Sequence, residues 1–116
     1  MEKIEYNLDE DEFFKKCVKN NNIPANDALK QILFKRIMKD FEMDKIYSEQ
    51  EVNDAIKRYF EDYTLIRMEL INFRYMQRDP LKGEYWVVKK ELTKPDFLKI
   101  SRLKRHAIEL GILKEE

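Results

Sequence analysis

Cysteine, histidine and tryptophan each occur once in the 116 residues, and glycine only twice. A single thiol, Cys17, excludes an internal disulfide and a cysteine-rich zinc site. A single imidazole, His106, has no second histidine with which to share a metal. Two glycines and three prolines are too few for the many turns of an all-β sandwich, so a mostly helical body is expected. No apolar run approaches the roughly 18 residues of a membrane span. The stretch from Met1 to Leu8 is acidic and polar, where a secretory leader would be basic and then apolar. The reducing cytoplasm is therefore the expected compartment, and no membrane role is expected. A glycine-rich phosphate loop, paired histidines and a serine elbow are also missing, and carboxylates are so numerous that a pair of them signals nothing. Neither an enzyme nor a cofactor is expected.

What is abundant is charge. Charged residues make up 40% of the chain and hydrophobic ones 43%, with 23 basic against 23 acidic side chains. Such a chain is neither a disordered polyelectrolyte nor a membrane protein. Its length suits one domain, residues 1–116, burying roughly two thirds of the surface it exposes when unfolded. The charge is unevenly spread: 11 basic and 15 acidic residues precede Tyr63, and 12 basic and 8 acidic follow from it. A net of about +4 on the second half suits a nucleic-acid face or, equally, complementarity with the acidic first half.

Helix signals recur along the chain. Asn7 or Asp9 can cap a helix whose first turn is acidic and whose stripe is Phe13, Phe14, Cys17 and Val18. Asn20, Asn21 and Asn22 before Pro24 mark a loop. Asn26 or Asp27 opens a second helix expected to run to Phe41. Ser48 and Glu51 form a capping box, with Tyr47 and Val52 as its hydrophobic staple, so a third helix starts at Glu49. Asp62 caps a fourth, with Tyr63, Ile66, Leu70 and Phe73 as its inward stripe. Two β-prone runs, 75–78 and 84–88, then flank Asp79-Pro80-Leu81-Lys82-Gly83, a hairpin signature. Thr93, Pro95 and Asp96 start a last helix that Gly111 would stop, with Ile100, Leu103, Ala107 and Leu110 inward.

The expected fold class is mainly α with a small β-hairpin: a winged helix-turn-helix-like core over residues 26–90, an added helix and loop at 9–22, and another helix at 93–116. In such a core the third helix lies in a DNA major groove and the wing touches the flanking backbone. These elements would be about Tyr63–Phe73 and Gln77–Trp86.

Three blocks carry a resemblance. Tyr47-Ser48-Glu49-Gln50-Glu51-Val52-Asn53, then Asp62-Tyr63-Thr64-Leu65-Ile66-Arg67-Met68-Glu69-Leu70, then Gly83-Glu84-Tyr85-Trp86 together resemble a bacterial family of unknown function. That family is winged-helix-like and often joined to an ArsR-type helix-turn-helix in transcriptional regulators. The resemblance covers about residues 29–88 and implies links to transcription, with no activity or ligand attached. Two positions depart from it. Met68 stands where the family commonly has a second arginine, and Arg74 where it tends to have glycine, so the turn leaving the helix is expected to differ.

The candidate DNA contacts are Arg67, Arg78, Lys82, Arg102 and Arg105. Arg67 could bind phosphate or guanine from the third core helix, or pair with carboxylates of the preceding one. Arg78 and Lys82 bracket the hairpin tip, as phosphate ligands or as ordinary turn charges. Lys99, Arg102, Lys104 and Arg105 give the last helix a basic side. Tyr85 and Trp86 could stack on bases, but packing on the body is favoured; Asn53 and Cys17 read as structural. The expected partner is double-stranded DNA. The alternative is a second copy or another protein, met through apolar terminal residues such as Phe13, Phe14, Ile112 and Leu113.

Overall fold

The computed structural model describes residues 2–114. It is mainly helical, with one small antiparallel sheet. In chain order come α1 (Glu10–Lys19), α2 (Asp27–Met38), β1 (Tyr47–Ser48), α3 (Glu49–Lys57), α4 (Tyr63–Asn72), β2 (Met76–Asp79), β3 (Glu84–Val87), α5 (Lys94–Lys99) and α6 (Ser101–Glu109). The residues fall into two compact units, Met1–Leu33 with Leu92–Glu116, and Phe34–Glu91. No helix among the described residues is long and apolar enough to cross a membrane.

The unit built from both chain ends holds α1, the start of α2, α5 and α6. Asp9 caps α1 by accepting from the Glu12 amide at 3.1 Å. Asn26 caps α2, its Oδ1 accepting from the amides of Ala28 and Leu29 at 2.8 and 3.1 Å. Leaving those donors unmade would cost on the order of 1 kcal/mol. The expected single last helix is in fact two, broken at Ile100, whose backbone is extended (φ −109°, ψ 107°). Phe97 and Leu103 are both buried, yet six residues apart on one helix they would point about 120° from each other. The break lets both reach the core, while Ile100 and Leu110 stay half-buried. The terminal apolar residues are mostly used inside this unit: Phe14 and Leu113 are buried, Phe13 and Ile112 half-buried.

Cys17 lies in this core, and burial pushes its thiol above its usual pKa, with Lys16 opposing only in part. Iodoacetamide is therefore expected to alkylate it roughly tenfold more slowly in the folded than in the urea-unfolded chain. Equal rates in a timed mass-spectrometric assay would show an open thiol instead.

In the central unit, α2 ends at Met38 rather than Phe41. Its last bonds tighten to the i→i−3 type, from Lys39 to Arg36, Asp40 to Ile37 and Phe41 to Met38, which still leaves Phe41 buried against the edge of Tyr47. Ser48 and Glu51 form the expected capping box on α3. The sheet order is β1-β3-β2, with Met76 opposite Val87 and Tyr47 opposite Tyr85. Phe34, Val52, Ile56, Phe60, Ile66, Leu70 and Tyr75 are fully buried among others.

Candidate nucleic-acid interface

Helix α4 begins at Asp62, whose carboxylate accepts from the Leu65 amide at 3.2 Å. Ile66 and Leu70 take its inner face. Thr64, Leu65, Met68 and Asn72 are exposed, and at 100° per residue they fall on one outward stripe. None of the four is charged. The one basic residue of α4, Arg67, points elsewhere. Its Nη1 donates to Asn53 Oδ1, and its Nε lies 3.8 Å from Glu49 Oε1. That same oxygen accepts from the Tyr85 hydroxyl at 2.8 Å. With its side chain 14% exposed, Arg67 ties α4 to α3 and β3 and serves the ion pair that the sequence offered as the alternative to phosphate.

Beyond Asn72 the chain turns sharply. Arg74 sits in the left-handed region, φ +69°, where a side chain costs about 1–2 kcal/mol that glycine avoids. The resemblance expected glycine at this position, and the turn is made with an arginine held in glycine's conformation. The next residues enter β2, and a groove of about 480 Å³ opens along this junction, lined by Ile71, Asn72, Arg74, Met76, Gln77 and Arg78. Arg74 and Arg78 are exposed, and neither forms an ion pair with the described residues. Two arginines, Arg74 and Arg78, and two amide residues, Asn72 and Gln77, thus line one groove beside the outward stripe of α4.

The hairpin is closed as its residues require. Asp79 Oδ1 accepts from the amides of Leu81 and Lys82 at 2.9 and 3.3 Å, and Gly83 takes φ +65°. Lys82 is exposed at the tip, beside Leu81, which is 96% exposed. Tyr85 is buried and Trp86 is not fully so. Successive strand residues face opposite sides, so the two cannot share the core. Trp86 instead lines a second groove of about 450 Å³ with Asp44, Lys45, Ile46 and Val87, a correction to packing both rings inward.

The other candidates lie on α5 and α6, in the unit built from the chain ends. Arg102 Nε lies 2.8 Å from Asp27 Oδ2 as an ion pair, with its own side chain 64% exposed and that of Asp27 3%. Lys30 stands 3.2 Å from Asp27 Oδ1 as an ion pair rather than an aligned hydrogen bond. His106 Nδ1 accepts from the Asp27 amide at 2.8 Å. Arg102 and His106 therefore close this unit around a buried carboxylate. Arg105 and Lys99 are exposed, and Lys104 is half-buried. Among the described residues no group of three or more histidine, cysteine, aspartate and glutamate side chains could hold a metal ion.

Residues 21–87 match the family described as "Uncharacterized protein conserved in bacteria (DUF2087)". The chain belongs to this family. No curated protein and no solved structure matches it. The family's stretch runs from the loop after α1 to the end of β3, so it contains the α4–β2 groove and omits α1, α5 and α6. Sequence reading passed over Asn72, Arg74 and Gln77 as contacts. The one signal for Arg74 was its place where the resemblance expects glycine.

Proposed function

We propose that this protein is a double-stranded DNA-binding, transcription-related protein of winged-helix type. The order α2-β1-α3-α4-β2-β3 supports this reading, with α4 as the helix entering the major groove and the β2–β3 hairpin as the wing. The observation that carries it is the pair Arg74 and Arg78, charged, exposed and without ion pairs among the described residues, in the groove between that helix and that wing. Guanidinium groups there suit the phosphate backbone flanking a bound groove. Retaining an arginine in a left-handed turn, where glycine would be easier, fits a side chain kept for what it binds.

Fluorescence anisotropy of a labelled duplex from the gene's own upstream region, titrated at several salt concentrations, tests this. Arg74→Gly with Arg78→Ala is expected to weaken binding roughly 10- to 100-fold near physiological salt and to reduce the slope of log affinity against log salt by about two. Arg74→Gly relieves the left-handed strain, so the thermal midpoint of that variant should hold or rise. A double variant that binds as well as the unaltered protein, or an unaltered protein that binds no duplex even at low salt, overturns the proposal.

A second reading, a non-enzymatic interaction or dimerisation module, is favoured by the exposure of Leu81, Met68 and Leu65. Self-association that is insensitive to salt and abolished by Met68→Glu, followed by light scattering, would support it over DNA binding.

A further inference from the structure

The outward stripe of α4 holds a threonine, a leucine, a methionine and an asparagine, Thr64, Leu65, Met68 and Asn72. It holds no arginine or lysine, the residues that read guanine O6 and N7 bidentately. The only guanidinium of α4, on Arg67, is engaged with Asn53 and Glu49. Leu65 is 40% exposed and Met68 56%. In a major groove the apolar feature open to such side chains is the thymine C5 methyl. Asn72 adds the complementary polar reading. Its Nδ2 donates one hydrogen to Glu69 Oε1 at 3.3 Å, which orients the amide and leaves the other hydrogen and Oδ1 for N7 and N6 of adenine. The cations Arg74 and Arg78 stand beside this neutral stripe in the adjoining groove, so charge attraction and base reading fall to separate residues.

We infer that α4 reads A·T base pairs, with Leu65 and Met68 against thymine methyls and Asn72 on adenine, and that it discriminates against G·C pairs for want of an arginine or lysine to bond guanine O6 and N7 together. This assignment rests on the duplex-binding reading and names the class of site that reading would use. The apolar side chains supply contact area where the arginines supply affinity. An apolar stripe on a helix also suits a protein partner, but the exposed arginines beside it, Arg74 and Arg78, match a polyanion in charge.

The test compares three duplexes of equal length by anisotropy near physiological salt, using the full chain. One has an A·T core, one a G·C core, and one the A·T core with every thymine replaced by uracil, which keeps all hydrogen-bonding groups and removes only the C5 methyl. The A·T duplex is expected to bind roughly tenfold more tightly than the G·C duplex. Uracil replacement is expected to weaken binding about three- to fourfold for each methyl contacted. The Leu65→Ala, Met68→Ala double variant, altered only at exposed positions, should bind thymine and uracil duplexes alike. Asn72→Ala should narrow the preference for A·T over G·C while leaving the salt slope unchanged. Equal affinity for the A·T and G·C duplexes, with the salt slope of a phosphate binder intact, overturns A·T reading and leaves DNA binding standing. Indifference of the unaltered protein to uracil overturns the role of Leu65 and Met68. Absence of binding to every duplex at low salt overturns both, and self-association lost in Met68→Glu would then assign the stripe to a second copy.

Discussion

Replacing Phe34 with alanine is expected to destabilise the protein by about 3–5 kcal/mol, the cost of a large cavity in a close-packed core. Phe34 is fully buried in the central unit, with its ring centroid 6.0 Å from those of both Phe73 and Tyr75. Such aromatic contacts add about 0.5–1.5 kcal/mol each beyond the area they bury. Against a total stability of about 5–15 kcal/mol for a domain, the loss would leave a marginal fold. Urea denaturation followed by far-ultraviolet circular dichroism measures it as a lower midpoint. The exposed Met68→Ala should change stability by less than about 0.5 kcal/mol. A Phe34→Ala loss below about 1 kcal/mol would mean that the site collapses and refills. The substitution also bears on function, because Phe73 and Tyr75 flank Arg74. Packing on Phe34 holds both sides of the turn that presents this arginine, so loosening the core there removes the fixed position of the charge.

Asp27→Ala is the second large effect, expected at about 2–4 kcal/mol. The carboxylate is 3% exposed and lies 2.8 Å from Arg102 Nε and 3.2 Å from Lys30 Nζ. Removing it takes this carboxylate from beside the Lys30 ammonium, 13% exposed, and a favourable negative charge from the first turn of α2. Arg102→Ala should cost less, about 1–2 kcal/mol, because the Asp27 carboxylate it leaves behind, 3% exposed, keeps the Lys30 ammonium 3.2 Å away. The asymmetry is diagnostic: comparable losses for the two variants would mean that Lys30 alone does not compensate the buried carboxylate. Thermal midpoints of the two variants, measured side by side, decide it. If Arg102→Ala is also neutral in duplex binding, the basic side of α6 has a structural partner and no part in the interface.

Much of the secondary structure was legible because its determinants are local. The caps at Asp9, Asn26, Ser48 and Asp62 are satisfied by amides two or three residues away, and a side chain that bonds so near in sequence can be read from sequence alone. The hairpin was legible for the same reason, since Asp79 and Gly83 close the turn within five residues. Where the helices end was not. The break at Ile100 follows from the need to bury both Phe97 and Leu103, and the tightened end of α2 keeps Phe41 in the core; both are set by what lies across the core.

The candidate site divides in the same way. Composition and order alone determined a mostly helical chain with a hairpin after α4 and a basic second half, and those are properties of short windows and of sums. Which charges are free was decided by tertiary structure. Arg67 and Arg78 look alike in the sequence, yet one is tied to Glu49 and Asn53 and the other meets no carboxylate among the described residues. Arg102 likewise meets Asp27, 75 positions away in the chain. A guanidinium is available to a ligand only when no carboxylate of its own fold reaches it first. Ion pairs between distant segments exist only after those segments have packed, because the chain entropy lost in bringing them together is offset by the burial of the core and not by the pair itself.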